Sequence, residues 1–205
     1  MLELPRRLVV VALRAETQGV FEAAGIPVLY CGVGKVNAAI ALARELARYV
    51  LHGQAMPLVL NFGSAGSRRH AAGTLVACHE FVQRDMDVRG LGYALGVTPF
   101  DDAPANLRFE PVFTHLPAAV CGSGDSFATA AADANGAGVG NAGVDCAVVD
   151  MEAYALAKVC WYEKAPFASA KYVSDGADHA AADDWQRNLH KAADEFLRLY
   201  LGVAR

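Results

Sequence analysis

Three carboxylic acids each follow a short apolar run typical of a buried strand: Glu16 after Leu8–Leu13, Glu152 after Val144–Val149, and Asp175 after Pro166–Val173. Carboxylates on one rim can divide the chemistry of glycosidic bond cleavage. One can protonate the leaving group, one can activate water, and one can accept hydrogen bonds from substrate hydroxyls. The apolar strand before Asp175 would raise its pKa by desolvation, which suits that acid to proton donation near neutral pH.

A simpler interpretation competes with this one. Asp and Ser are favoured helix N-caps, so Ser174 and Asp175 could end a strand only to begin the next helix. Asp150, close to Glu152 in the same segment, is expected to have a structural role. The active-site interpretation therefore depends on whether the elements that carry these acids converge.

Short apolar runs alternate with segments of helical periodicity along the chain. The predicted strands are Leu8–Leu13, Ile26–Cys31, Pro57–Phe62, Leu75–Val82, Val144–Val149 and Pro166–Val173. This alternation predicts an α/β fold with a central mixed, largely parallel sheet flanked by helices. Ligands of such folds bind beyond the carboxyl ends of the strands. The small-residue loops predicted at Gly63–Ser67 and Gly122–Phe127 would therefore lie on the same rim as the three acids.

Three segments have helical patterns. Lys35–Leu51 carries an apolar stripe predicted to face the core: Val36, Ala39, Ile40, Ala43, Leu46, Ala47 and Val50. Tyr154–Glu163 is the second. A final helix is predicted to be capped at Asp183 or Asp184, because Asp183 and Gln186 resemble a capping box. Its apolar stripe runs from Trp185 to Tyr200. The segment Arg84–Phe113 is predicted to be irregular.

Length and composition exclude several classes of protein. The 205 residues are expected to form one domain over residues 1–205, with 54% hydrophobic and 20% charged residues. A net charge of −4 without a Lys/Arg cluster argues against a nucleic-acid partner. The five scattered cysteines predict reduced thiols. The start of the chain lacks the pattern of a signal peptide, and Leu8–Leu13 is far shorter than the roughly 20 residues of a membrane helix. We therefore expect a cytoplasmic protein without a membrane partner.

Two glycine motifs and one acidic cluster do not predict a cofactor or a metal. The G-x-G-x-x-G of Gly138–Gly143 precedes a strand, whereas a dinucleotide fingerprint follows one, so this stretch is interpreted as a linker. Gly32–Lys35 lacks the first glycine and the Ser/Thr of a phosphate loop. Asp175, Asp178, His179 and Asp183 match no spacing of a known metal site.

Five motifs, taken together, resemble the nucleoside phosphorylase/nucleosidase superfamily. They are Cys31–Ala39 (CGVGKVNAA), Asn61–Gly66 (NFGSAG), Gly122–Phe127 (GSGDSF), Val149–Ala153 (VDMEA) and Val173–Asp178 (VSDGAD). Within the superfamily, the chain is most similar to 5′-methylthioadenosine/S-adenosylhomocysteine nucleosidases, which release adenine by hydrolysis and need no cofactor. The resemblance implies the nucleoside phosphorylase-like fold and a purine nucleoside or thionucleoside as substrate.

The resemblance also assigns roles to individual residues. Asp175 would protonate N7 of the leaving adenine, and Glu16 would orient and deprotonate the attacking water. Glu152 would accept hydrogen bonds from the ribose hydroxyls. Phe127 would stack on the base, and Met151 would pack against the ribose.

The remaining expectations from the resemblance concern supporting residues and assembly. Ser64 and Ser174 would make supporting polar contacts, and Lys171 occupies a position at which many bacterial members have Arg. Residues 99–122 are too few for the helix that the family usually carries there. A homodimer is also implied.

Two alternatives to the hydrolase are open. One is a phosphate-dependent purine nucleoside phosphorylase. The early phosphate loop of those enzymes is replaced here by Val11–Glu16, which favours water as the nucleophile. The other is a non-catalytic nucleoside-binding protein on the same fold, suggested by the shortened region 99–122.

Overall fold

The computed structural model describes residues 6–128, 144–178 and 180–203. Its strands are β1 Arg7–Val11, β2 Val28–Tyr30, β3 Leu58–Gly66, β4 Leu75–Gln83, β5 Asn106–Arg108, β6 Ala118–Ser123, β7 Val148–Asp150 and β8 Phe167–Asp175. Its α-helices are α1 Arg14–Thr17, α2 Val20–Ala23, α3 Lys35–Leu51, α4 Ala153–Glu163, α5 Ala181–Asn188 and α6 Ala193–Gly202. The predicted linker at Gly138–Gly143 and His179 lie outside the described residues.

The strands form one mixed sheet, as predicted. The pairs β1–β2, β1–β3, β3–β8, β4–β6 and β6–β7 are parallel, whereas β3–β7, β4–β5 and β4–β8 are antiparallel. Because β8 pairs with both β3 and β4, the strands β3, β8, β4, β6 and β7 close into a ring. The predicted fold class is confirmed.

Gly66 is the point at which three strand ends meet. It is paired with Val149 in the short strand β7 and with Asp175, the last residue of β8. An added Cβ at Gly66 would lie 2.7 Å from Oδ1 of Asp175, so only a glycine lets these ends approach so closely. The sequence predicted that separate strand ends converge, and the glycine at the end of β3 is what allows them to do so.

Helices cover both faces of the sheet, and β1 shows how the sequence builds the two layers. Leu8 and Val10 point into the core shared with α3 and α4, whereas Val9 and Val11 point into the core shared with α6. Alternate residues of a strand face opposite sides, so an unbroken apolar run is what a strand covered on both faces requires. No helix of the described residues is long and apolar enough to span a membrane.

The predicted loop Gly63–Ser67 is mostly strand. Residues 59 to 66 of β3 pair with β8 on one side, and β3 pairs with β1 and with β7 on the other side. The prediction was wrong because small residues permit turns but do not require them. Here Gly63 and Gly66 leave room for side chains that approach the sheet.

Helix α3 has the predicted bounds, but the predicted stripe is largely on its exposed face. The buried side chains are Ala38, Leu42, Leu46 and Tyr49. Val36, Ile40 and Val50 are exposed to 67%, 54% and 59%. The helix is therefore apolar on two faces, and only one of them packs against the sheet.

The predicted final helix is two helices, and the predicted capping box does not form. α5 begins at Ala181 after the N-cap Ala180, so Asp183 and Asp184 lie inside its first turn. The helical structure ends after α5 and begins again in α6, which buries Phe196, Leu199 and Tyr200. The spacing of the apolar residues continues across this interruption, so it predicted a single helix.

The segment after β4 is irregular, as predicted. It contains a short 3-10 helix at Arg89–Leu91 and strand β5, and residues 99–117 contain no α-helix. Asp101 ties this segment to α4 through hydrogen bonds with Lys158 and with the Tyr162 hydroxyl.

Candidate active site

A cavity of about 210 Å³ lies where the strand ends converge. Six of the eight predicted site residues line it: Glu16, Ser64, Phe127, Met151, Glu152 and Asp175. Ser174 and Lys171 are buried behind its wall. The structure thus brings together residues that are as far apart as positions 16 and 175.

Glu16 is held by the short helix α1 and by β3. Its Oε2 accepts a hydrogen bond from the Leu13 N–H at 3.1 Å, which closes the first turn of α1. Its Oε1 accepts bonds from the N–H and the hydroxyl of Ser64, at 2.7 and 2.8 Å. The side chain is only 3% exposed, and these three donors offset the cost of burying a carboxylate.

Glu152 is positioned by the turn before α3. Its Oε1 accepts the Gly34 N–H at 2.9 Å, and φ of Gly34 is +93°, a conformation that favours glycine. Burial, followed by the nearby Asp150 carboxylate, raises the pKa of Glu152 to about 7. Near neutral pH this group exchanges its proton readily, and its ionised form can accept hydrogen bonds from hydroxyl donors.

Asp175 ends β8 without capping a helix. Its Oδ1 accepts the Ala177 N–H at 2.9 Å, and its Oδ2 accepts the Ser174 hydroxyl at 2.8 Å. Helix α5 begins only at Ala181, so the N-cap interpretation is wrong. Burial raises the pKa of Asp175 above its usual value, because the hydrogen bonds offset only part of the desolvation. A raised pKa suits Asp175 to carrying a proton.

Ser174 and Lys171 act on other side chains from behind the wall of the cavity. Ser174 is fully buried and donates to Asp175, so it orients that acid. The Lys171 ammonium lies 2.8 Å from Oδ2 of Asp150. Burial by itself would lower the pKa of Lys171, but the Asp150 carboxylate raises it, so the lysine stays charged.

The loop after β6 carries Phe127 to the mouth of the cavity. Phe127 is 43% exposed, which leaves a flat aromatic face available to a ligand. The start of the loop is tied to α3, because Asp125 accepts the Lys35 N–H at 2.7 Å. Asp85 joins the same cluster by accepting the Asp125 N–H and pairing with the Lys35 ammonium at 2.5 Å.

Two residues of the cavity wall were missed by sequence reasoning. Trp185 was assigned to an apolar stripe, yet its indole N–H donates to the Ser64 hydroxyl at 3.0 Å. Arg84 was placed in an irregular segment, but it is buried and donates to the Gly124 carbonyl and the Ser126 hydroxyl. Arg84 directly follows β4, so the strand-end rule could have found it. No pattern in the sequence indicated the contact of Trp185.

Known proteins are similar to this chain in both sequence and fold. The profile of the phosphorylase superfamily matches residues 16–205. The 5′-methylthioadenosine/S-adenosylhomocysteine nucleosidase of Anoxybacillus flavithermus is 31% identical over 192 residues, covering 85% of this chain and 78% of that protein. The nucleosidase of the same name from Marinomonas sp. is 29% identical over 191 residues, covering 86% and 79%.

Two solved structures superimpose over nearly the whole chain. The nucleosidase of Neisseria meningitidis in complex with methylthio-immucillin-A has a TM-score of 0.77 and 25% identity, covering 95% of this chain and 96% of that one. The nucleosidase of Colwellia psychrerythraea, in complex with adenine, has a TM-score of 0.79 and 24% identity, covering 95% and 92%. The chain therefore belongs to the phosphorylase superfamily, which its five motifs predicted.

Proposed function

We propose that this chain hydrolyses the N-glycosidic bond of a purine nucleoside or thionucleoside, such as 5′-methylthioadenosine or S-adenosylhomocysteine, and releases the free base. The observation that carries the proposal is the convergence of three differently held carboxylates, Glu16, Glu152 and Asp175, on one cavity. The names of the relatives, at about 30% identity over most of the chain, support the same reaction.

Asp175 is the general acid in this proposal. A purine leaves readily only when it is protonated, since its departure otherwise places negative charge on the ring. Burial keeps Asp175 protonated to a higher pH than an exposed aspartate. The acid donates its proton to N7 of the leaving base, while Phe127 stacks on the ring.

Glu152 and Met151 hold the sugar. A carboxylate accepts hydrogen bonds through both oxygens, and Glu152 uses one of them for the Gly34 N–H. Its remaining lone pairs suit a pair of ribose hydroxyls. Met151 lines the same part of the wall and offers an apolar contact to the sugar ring.

Glu16 activates the attacking water at its side of the cavity. A carboxylate attracts a water proton and repels an anion, so this side favours water over phosphate as the nucleophile. The buried ammonium of Lys171, behind the cavity wall, is already paired with Asp150. The chain is therefore proposed to be a hydrolase and not a phosphorylase.

The test is base release from a panel of purine nucleosides, measured with and without inorganic phosphate. We expect free adenine from 5′-methylthioadenosine at the same rate in both buffers. Strict dependence on phosphate would identify a phosphorylase. Tight binding of adenosine without release of any base, even at high protein concentration, would identify a binding protein.

We also propose that the chain forms a homodimer in the cytoplasm. The exposed apolar stripe of α3, with Val36 and Ile40 more than half exposed, is a surface that association would remove from water. The five cysteines, all among the described residues, form no disulfide, as expected of a reducing compartment. Light scattering should give twice the mass of one chain, and Val36→Glu combined with Ile40→Glu should give a monomer. A monomeric parent protein would contradict the proposal.

A further inference from the structure

Trp185 is joined to Glu16 by a two-step hydrogen-bond chain. The indole Nε1 lies 3.0 Å from the Ser64 hydroxyl, and that hydroxyl lies 2.8 Å from Oε1 of Glu16. Asn188, which donates to the Ser174 carbonyl at 2.7 Å, fixes the same helix α5 against β8. The chain of hydrogen bonds therefore connects α5, β3 and α1, which meet only in the folded protein.

The direction of this chain is determined by the chemistry of its members. An indole N–H can only donate, so the Ser64 oxygen must accept from Trp185. A serine hydroxyl carries one hydrogen, and the carboxylate of Glu16 is an acceptor when ionised. The single hydrogen of Ser64 is thus committed to Glu16. Without the indole, that hydroxyl could rotate toward other acceptors, including water in the cavity.

We propose that Trp185 is a positioning residue that orients the Glu16 carboxylate through Ser64. This inference rests on the proposed function, in which Glu16 activates the attacking water. With the hydroxyl fixed, Oε1 of Glu16 receives two donors from Ser64 and its lone pairs are filled. Among the described residues, Oε2 receives one donor, the Leu13 N–H, and keeps a lone pair for water. Oε2 is therefore the oxygen that takes the proton.

The experiment uses Trp185→Phe, which removes the indole N–H. The substitution keeps an aromatic ring beside Phe127, since the ring centroids of Phe127 and Trp185 lie 6.3 Å apart. We expect kcat for base release to fall about fivefold to tenfold with little change in KM, as the loss of one neutral hydrogen bond predicts. Trp161→Phe, on α4 and outside the cavity lining, is the matched control and should leave kcat unchanged.

A double-mutant cycle separates positioning from packing. In a Ser64→Ala background, Trp185→Phe should have no further effect on kcat, because the hydroxyl that it orients is gone. An equal loss in both backgrounds, or an unchanged kcat in the single variant, would overturn the inference. Thermal unfolding of each variant checks that the fold is retained.

The indole N–H resonances of the two tryptophans give a readout that does not depend on turnover. Ser64→Ala should move the Trp185 resonance and leave that of Trp161 in place, and two unmoved resonances would overturn the hydrogen bond itself. Parent protein that releases no base from any nucleoside would instead overturn the proposed function, and with it the role of Trp185 in turnover.

Discussion

Asp150 and Asp175 are the same side chain at the ends of two strands that both meet β3 at Gly66, yet their surroundings differ in charge. The Asp150 carboxylate pairs with the Lys171 ammonium at 2.8 Å and accepts the Ala153 N–H at 3.0 Å. In the described part of the chain, Asp175 has hydrogen-bond donors but no cation.

The two environments move the two pKa values in opposite directions. Burial alone would raise the pKa of Asp150, but Lys171 and hydrogen bonds, including that of Ser123, hold it below its usual value. Burial raises the pKa of Asp175, and its hydrogen bonds do not reverse the effect. One cation thus separates a carboxylate that favours its ionised form from a group able to carry a proton.

The largest effect is expected from Asp175→Asn. The amide has the same shape but cannot donate an acidic proton, so kcat should fall by about two to four orders of magnitude. Thermal unfolding should change little, because no buried cation loses its partner. Asp178→Asn is the matched control, since the Asp178 side chain is exposed and, among the described residues, accepts one hydrogen bond, from the Ala180 N–H. Unchanged turnover in Asp175→Asn would remove it from the role of acid.

Asp150→Asn should lower stability before it affects chemistry. It leaves the Lys171 ammonium buried without its counterion, which typically costs about 3–5 kcal/mol in the free energy of unfolding. Urea denaturation measures this loss. Replacing both partners, with Asp150→Asn and Lys171→Met together, should recover part of it. Wild-type stability in the single variant would show that the pair does not stabilise the fold.

The sequence predicted the acids of the site better than their supports. Glu16, Glu152 and Asp175 could be found because an acid at the end of an apolar run is a local pattern. The pairing of Lys171 with Asp150 and the bond from Trp185 to Ser64 depend on which strand and helix become neighbours. No local spacing encodes that choice.

The fold shows the same division between local and tertiary information. Helix α3 was predicted to the residue because 17 residues of continuous helical periodicity lie between the glycine turn and His52. The prediction of which face is buried was wrong, since the helix has a second apolar stripe that periodicity cannot distinguish from the first. The extension of β3 to Gly66 was missed because it depends on pairing with β7 and β8, which are distant in sequence.

Gly66→Ala tests whether the position of Asp175 matters as much as its protonation. The added Cβ would lie 2.7 Å from Oδ1 of Asp175 and 3.1 Å from the Ala177 Cβ, so the acid must shift. A displacement approaching 1 Å can lower kcat by up to about a hundredfold, and we expect a loss of ten- to a hundredfold. Gly90→Ala, which meets nothing within 4 Å, is the control. Full activity in Gly66→Ala would show that the site tolerates such movement.

A smaller effect than that of Gly66→Ala is expected in the pH dependence that comes from Glu152. Its pKa, raised to about 7, means that the group is protonated below pH 7 and ionised above it. Only the ionised form offers all its lone pairs to the ribose hydroxyls, so the part of kcat/KM that depends on Glu152 should fall about tenfold between pH 8 and pH 6. Asp175, which acts as the protonated acid, adds a limb of the opposite sign. The fall is therefore measured as the ratio of kcat/KM in the parent enzyme to that in Glu152→Gln, in which the Asp175 limb cancels. Asp150 should add no such limb, because its pKa is lowered.

Glu152→Gln separates this limb from the rest of the profile. The amide does not titrate, so kcat/KM of this variant should lack the limb near pH 7 and keep the limb of Asp175. In the parent enzyme, ribose hydroxyls that donate to the carboxylate stabilise its ionised form. The limb in kcat should therefore lie at lower pH than the limb in kcat/KM. A ratio of parent to variant kcat/KM that is flat from pH 5 to 8 would show that Glu152 does not bind the sugar as a carboxylate, and the contrast with Asp150 would then rest on Asp175 alone.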